Sequence, residues 1–311
     1  MSELSCPVCQ GTRISSVFVS KNGYPIVRCD DCHVVFTDAR TAPPPSELYP
    51  TFDQSDTAAL RGVRAAMSVF RRQRAAFVRS VAAPPARVLD YGCGNGAFAG
   101  YMAHAGYESV GLEPFSLGTT ARSGNLTLMQ APLEEAAAEL GTFDVITLWH
   151  VLEHVPAPVD VLQKLKALLR PGGTLVVSVP NLASWQGALF GGAWFHLDPP
   201  RHLVHFERDT LRDCLGRAGL RVQKEVAFLP EYGTSGWMQS ALNAVLPHQN
   251  YLYEIVKDRG ALRGMSGPSF AAHLAASALV GAPLFALSLP VEALASAAGK
   301  QAALTVAAKV G

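Results

Sequence analysis

Charge is scarce in this chain. Asp, Glu, Lys and Arg make up 16% of the 311 residues, against about 25% in an average globular protein. The 26 basic and 25 acidic residues nearly cancel, leaving a net charge of +1, so no overall field recruits nucleic acid. With 49% hydrophobic residues, the low charge also excludes a disordered chain and provides for a sizeable core. Six cysteines are too few for a disulfide scaffold at this length, and their grouping in CxxC pairs points to a reducing compartment. The opening MSELSCPVCQ lacks a basic segment followed by an apolar run, so no secretory leader is expected. The expected compartment is the cytoplasm. Arg61, Arg64, Arg71, Arg72, Arg74 and Arg79 bunch together, and on a helix such a run reads as a solvated face.

Punctuation divides the rest. Residues 1–40 form a cysteine-bearing unit, and 41–85 a proline-rich connector, TAPPPSELYP, followed by a long Ala/Arg-rich helix that Pro84-Pro85 ends. From 86 to 229, short apolar runs alternate with helical segments: Arg87–Tyr91, Ser109–Glu113, Phe143–Trp149, Thr174–Pro180 and Leu220–Phe228 read as strands. Continuous apolar strands separated by helices predict a doubly wound, mostly parallel α/β sheet covered on both faces. Residues 230–300 read as an Ala-rich helical insertion or lid, and 301–311 as a final strand.

Cys6 and Cys9 are separated from Cys29 and Cys32 by 19 residues. Two CxxC knuckles at this distance match the four-thiolate structural zinc pattern, in which two tight turns close a tetrahedron. Such a site holds structure and leaves no position open for chemistry.

Asp90-Tyr-Gly92-Cys-Gly94-Asn-Gly96 follows a strand and opens a helix, and Glu113 ends the next strand. Glycines there let the backbone approach a ligand, a helix N-terminus offers unpaired N–H groups, and a carboxylate at Glu113 can accept from ribose hydroxyls. Gly92-x-Gly94-x-x-Ala97 also satisfies the dinucleotide fingerprint. The carboxylate of Asp90 would repel a pyrophosphate, however, and suits a ligand carrying an amino group and a sulfonium.

LDYGCGNG resembles the first motif of the class I S-adenosylmethionine-dependent methyltransferases. FDVITLWHVLEHV (143–155) and LLRPGGTLVVSVPN (168–181) are similar to the motifs of their fourth and fifth strands. The resemblance covers residues 86–228 and the last strand, and a four-cysteine module ahead of it is similar to bacterial quinone-biosynthesis and sugar-modifying members. It implies a seven-stranded Rossmann-like sheet and methyl transfer to an oxygen or activated carbon of a small-molecule or lipid-like acceptor. It further implies that Asp90, Gly92 and Gly94 line the methionine moiety, that Gly96 packs the helix, and that Glu113 holds the ribose. Pro132 and Leu133 would flank the adenine, while Trp149 and His150 face the methionine side or the substrate mouth. Where many relatives carry an acidic residue, this chain has Gln130-Ala131-Pro132. The alternatives are an NAD-dependent oxidoreductase and a zinc-ribbon binding protein with an inactive methyltransferase fold. The intact Asp90, Gly92, Gly94 and Glu113 argue against the second.

Three histidines are candidates for the base: His150, His202 and His205. His150-x-x-Glu153-His154 spells the inverted zinc-protease motif, but it falls just after a buried strand instead of on a helix. In DPPRHLVHF (198–206), His202 and His205 share a face if the segment turns helically. One could then meet the acceptor, and the competing reading is that both pin the loop. LAASALVGAPLFALSLPV (274–291) has no charge over 18 residues, yet two prolines weaken it as a membrane span. A buried or lid-like hairpin is expected, with peripheral membrane contact as the alternative.

Overall fold

The computed structural model describes residues 4–48, 58–115, 120–226, 230–247, 249–250 and 277–311, and residues 253, 267 and 275. The middle of the expected 230–300 insertion and the start of the apolar 274–291 run therefore lie outside the described residues.

Three strands open the chain: β1 (Ile14–Val19), β2 (Pro25–Cys29) and β3 (Val35–Thr37). A short α1 (Pro45–Leu48) and the long α2 (Ala58–Arg79) follow. Strand and helix then alternate through β4 (Arg87–Tyr91), α3 (Ala97–His104), β5 (Glu108–Leu112), β6 (Ala121–Ser123), β7 (Leu126–Met129), α4 (Leu133–Leu140), β8 (Phe143–Trp149), α5 (Pro158–Ala167) and β9 (Leu169–Pro180). The remainder comprises α6 (Trp185–Phe190), β10 (Val204–His205), α7 (Arg208–Arg217), β11 (Leu220–Val226), α8 (Pro230–Val245), α9 (Ala282–Ala297) and β12 (Ala303–Val310).

The central sheet has the order β11-β12-β9-β8-β4-β5-β7-β6. Its five middle strands, β9, β8, β4, β5 and β7, are parallel, while β12 runs antiparallel between β9 and β11. Six of these strands stand at expected positions, and β7, which the sequence reading does not place, brings the count to the seven that the resemblance implies. The eighth, β6, is three residues long and pairs antiparallel with the outer edge of β7. All three of its residues are exposed, so it buries no apolar face and leaves no period in the sequence.

Alternation along each middle strand builds two cores from one sheet. Leu89, Ile146, Leu148, Leu175 and Val177 face one way, and Val88, Val145 and Val176 the other. The second face is closed by Ala75, Phe77 and Val78 of α2 with Phe98 and Met102 of α3. The first is closed by residues of α4, α5 and α7, and also by Cys6, Val8, Val27, Cys29 and Phe36 of the N-terminal unit. Both faces are apolar, which is why these strands read as unbroken hydrophobic runs.

The N-terminal unit is joined to the part of the chain that builds the central sheet by a strand pairing as well as by a core. β10 pairs antiparallel with β3, Val204 opposite Phe36 and His205 opposite Val35, completing a four-stranded sheet β1-β2-β3-β10. Residues 4–40 therefore fold against the loop after β9.

Helices α8 and α9 pack together and are tied down by a buried carboxylate. Glu292 of α9 accepts from Trp237 Nε1 at 3.0 Å, Gln186 Nε2 at 3.2 Å and the backbone N–H of Ala302 at 2.7 Å. α9 also exposes Phe285, Leu287, Leu289 and Leu294. By length and composition, the stretch Leu279–Ala297 could cross a membrane.

Candidate active site

The glycine loop forms where β4 ends. Gly92, Gly94 and Gly96 have φ of 72°, 55° and 75°, a left-handed backbone that only glycine adopts cheaply. A Cβ on Gly92 would lie 2.5 Å from Val151 Cγ2, in the turn after β8. The loop thus carries the chain close to that turn and delivers it to the N-terminus of α3.

Two carboxylates border the loop. Asp90 is 2% exposed and accepts from Thr147 Oγ1 at 2.8 Å. Burial pushes it up to about 7, the Thr147 hydroxyl and the Arg74 guanidinium opposing that shift. Glu113 follows β5 and accepts from the N–H of Gly94 at 2.9 Å and of Phe115 at 3.1 Å. It is held across the loop mouth by main-chain donors. Pro132 precedes the first residue of α4, and Leu133 turns into the core.

The other wall is the turn after β8. Trp149 packs edge-on against Phe98 with ring centroids 5.6 Å apart. The Arg74 guanidinium lies 5.0 Å over the Trp149 ring and 5.7 Å from that of Tyr232, donating to the Tyr232 hydroxyl at 2.9 Å. His150, next along the chain, adopts φ 56°, a conformation that costs a non-glycine residue about 1 kcal/mol or more and collects at functional sites. Its ring lies over Tyr232 at 3.5 Å. Nδ1 lies 3.1 Å from Glu153 Oε1 and Nε2 lies 3.5 Å from Ser178 Oγ. With Nδ1–H donating to the carboxylate, Nε2 carries the lone pair. Burial, with Arg74 adding to it, holds His150 well below its ordinary value, so the ring is neutral. Burial pushes Glu153 up to about 7.

His202 and His205 are placed differently from each other, because Val204–His205 is extended instead of helical. His205 Nε2 lies 3.0 Å from Thr37 Oγ1, and that hydroxyl donates to His202 O at 2.8 Å. The one hydroxyl hydrogen is thereby used, so the His205 Nε2–H is the donor. Burial lowers His205 to about 4. His202 Nδ1 donates to His196 O at 2.7 Å, and its ring meets that of His154 edge-on at 4.6 Å. Both side chains are buried. His150 thus precedes Val151, which packs on Gly92 of the glycine loop, while His205 is bonded into the N-terminal unit.

The four cysteines converge. Cys6 Sγ lies 3.5 Å from Cys32 Sγ, and Cys9 Sγ 3.5 Å from Cys29 Sγ, with one sulfur from each residue within 4.8 Å of the others. None of the four is in a disulfide. Each knuckle closes through a left-handed residue just after its second cysteine, Gln10 at φ 63° and His33 at φ 61°. Gln10 N–H returns to Cys6 O, and His33 N–H to Cys29 O. The two pairs are the same turn used twice.

Residues 64–225, more than half of the chain, match a family model described as a methyltransferase domain. The chain belongs to this methyltransferase family. It is an enzyme of the S-adenosylmethionine-dependent class I group that its motifs resemble, and the NAD reading of Gly92-x-Gly94 falls away. A ubiquinone biosynthesis O-methyltransferase from Xanthomonas campestris is 35% identical over 192 residues, 57% of this chain and 78% of the relative. One from Vibrio parahaemolyticus is 39% identical over 115 residues, 34% of this chain and 49% of the relative. Among solved structures, a magnesium protoporphyrin IX methyltransferase from Synechocystis with bound SAH is 20% identical at a TM-score of 0.41. That match covers 56% of this chain and 82% of the other.

Sequence reasoning misses Arg74, Tyr232 and Glu153 as site residues. Arg74 and Tyr232 lie 158 positions apart on helices of ordinary composition, and no local pattern announces their meeting. Glu153 does carry a signal, three residues after His150 on a turn.

Proposed function

We propose that this methyltransferase transfers a methyl group from S-adenosylmethionine to a hydroxyl oxygen of a small-molecule acceptor, with His150 as the base. The observation that carries this reading is the His150–Glu153 pair on the turn whose Val151 packs against Gly92, with Arg74 acting on both Asp90 and His150. The O-methyltransferase names of the relatives support the choice of oxygen.

The residues fit the cofactor. Asp90 presents a buried carboxylate to a cationic methionine moiety, Gly92 and Gly94 give the backbone room for close approach, and Glu113 is positioned for ribose hydroxyls. Pro132 and Leu133 stand where the adenine would be flanked, with Trp149 toward the methionine side. When bound, the cofactor supplies an electrophilic methyl group on a sulfonium.

The chain's own residues do the rest. Nε2 of His150 accepts the acceptor's hydroxyl proton, and Glu153, at Nδ1, stabilises the imidazolium that forms. The Arg74 guanidinium, set between Trp149 and Tyr232, offsets negative charge on the acceptor oxygen. Alignment in a water-poor site contributes most of the remaining barrier reduction. His202 and His205 hold the loop. Cys6, Cys9, Cys29 and Cys32 hold one structural zinc ion, since four thiolates on two tight turns form a closed tetrahedral donor set.

Replacing the base tests the reading. His150→Ala should lower turnover by about 10²–10⁴-fold, the usual scale for a positioned acid–base group, while cofactor affinity stays near wild type. His205→Asn should keep most activity. Equal losses in the two variants, or full turnover in His150→Ala, would overturn the assignment.

A further inference from the structure

We infer a second metal site, distinct from the four cysteines, in which Glu153, His154 and His202 hold a transition-metal dication. One ligand atom from each of the three lies within 4.8 Å of the other two. Glu153 and His154 are neighbours on the one-turn 3₁₀ helix Leu152–His154 after β8, and His202 comes from the loop that leads into β10.

Three features of the cluster point to a cation. First, each imidazole gives its Nδ1–H to the main chain: His154 Nδ1 donates to Arg201 O at 2.9 Å, and His202 Nδ1 to His196 O at 2.7 Å. A ring whose Nδ1–H is given to a main-chain carbonyl presents its lone pair at Nε2, and this carbonyl bond is the usual outer support of a metal-bound histidine. Second, Glu153 is 1% exposed, and its Oε2 has no hydrogen-bond partner among the described residues, although Oε1 is engaged by His150. A buried carboxylate oxygen left unmatched is costly, and a cation facing it removes that cost. Third, the frame around the cluster is tied on both sides. Leu203 N–H donates to Glu153 O at 2.7 Å, and Thr37 Oγ1 to His202 O at 2.8 Å. The donors are therefore held before any ion arrives.

Two imidazoles and one carboxylate are a nitrogen–oxygen donor set of the kind that zinc, iron(II) and cobalt(II) favour over calcium or magnesium. Three protein ligands leave further positions for water or an oxygen donor. Because Oε1 of Glu153 touches His150, an ion on the other oxygen would also fix the carboxylate that orients the base. The site itself stands without that reading, and its test needs no turnover.

Cobalt(II) titration of the metal-stripped full chain separates the two sites by spectrum. One equivalent should produce thiolate-to-cobalt charge transfer from the cysteine cluster. A second should add weak d–d bands with no sulfur signature. In Glu153→Gln and in His202→Ala the second equivalent should disappear while the thiolate signal persists, and that signal certifies that the N-terminal unit is still folded. Elemental analysis of the zinc-loaded wild type should find two equivalents, falling to one in each variant. A wild type that takes up only the thiolate-bound equivalent would overturn the inference, as would a second equivalent that survives both substitutions.

Discussion

Asp90 is a carboxylate sunk at the end of a parallel strand, and its protonation sets what it can bind. Burial places its midpoint at about 7, so it is mostly neutral at pH 6 and mostly ionised at pH 8. A cationic ligand prefers the ionised form. Cofactor affinity should therefore weaken as pH falls below about 7, by up to tenfold per unit, and level off above it. In Asp90→Asn this dependence should vanish. Calorimetric titration of S-adenosylmethionine at pH 6, 7 and 8 measures it, and an unchanged slope in Asp90→Asn would place the titrating group elsewhere. Asp90, the three glycines and Glu113 are legible in the sequence because their chemistry is local: an apolar strand, a carboxylate, then glycines forced to positive φ. His202 and His205 are legible as a motif but not as roles. Three-residue spacing puts two side chains on one face only in a helix, and here the backbone runs extended through Val204 and His205.

Elements carry the coupling between the cysteine cluster and the rest of the chain. β3 pairs with β10, the Thr37 N–H donates to Leu203 O at 2.9 Å, and Leu203 N–H donates to Glu153 O. A short bridge of main-chain bonds thus runs from the N-terminal unit to the turn that holds His150 and Glu153. Structural metal contributes directly to folding free energy, so Cys29→Ser should abolish zinc binding and loosen that bridge. Hydrogen exchange should show lost protection at Val35–Thr37 and Val204–His205, with β4, β8 and β9 still protected. Unchanged protection at 204–205 would mean that the unit is dispensable for the loop. The two knuckles are legible from cysteine spacing alone. The pairing of β3 with β10 is not, since β10 is two residues long and its partner lies more than 160 positions away. Periodicity cannot register an element that short.

For the whole molecule, the order of apolar runs and glycine turns predicts a doubly wound sheet, and the sheet forms in that order because both its faces are covered. β12, the final strand expected within 301–311, lies antiparallel between β9 and β11. Assembly at a distance leaves no such trace in the sequence. Arg74 from α2, Tyr232 from α8 and His150 after β8 meet only once the helices are packed on the sheet edge. A site of this kind depends on a cofactor bound through Asp90 and Glu113, and that dependence is the central claim. Calorimetry of S-adenosylmethionine binding to the wild type, Asp90→Ala and Glu113→Ala tests it most directly. The wild type should bind, and each variant should lose roughly 1.5–3 kcal/mol, the range for a hydrogen bond to a charged group. Equal affinity in all three proteins, or no binding by the wild type, would contradict it.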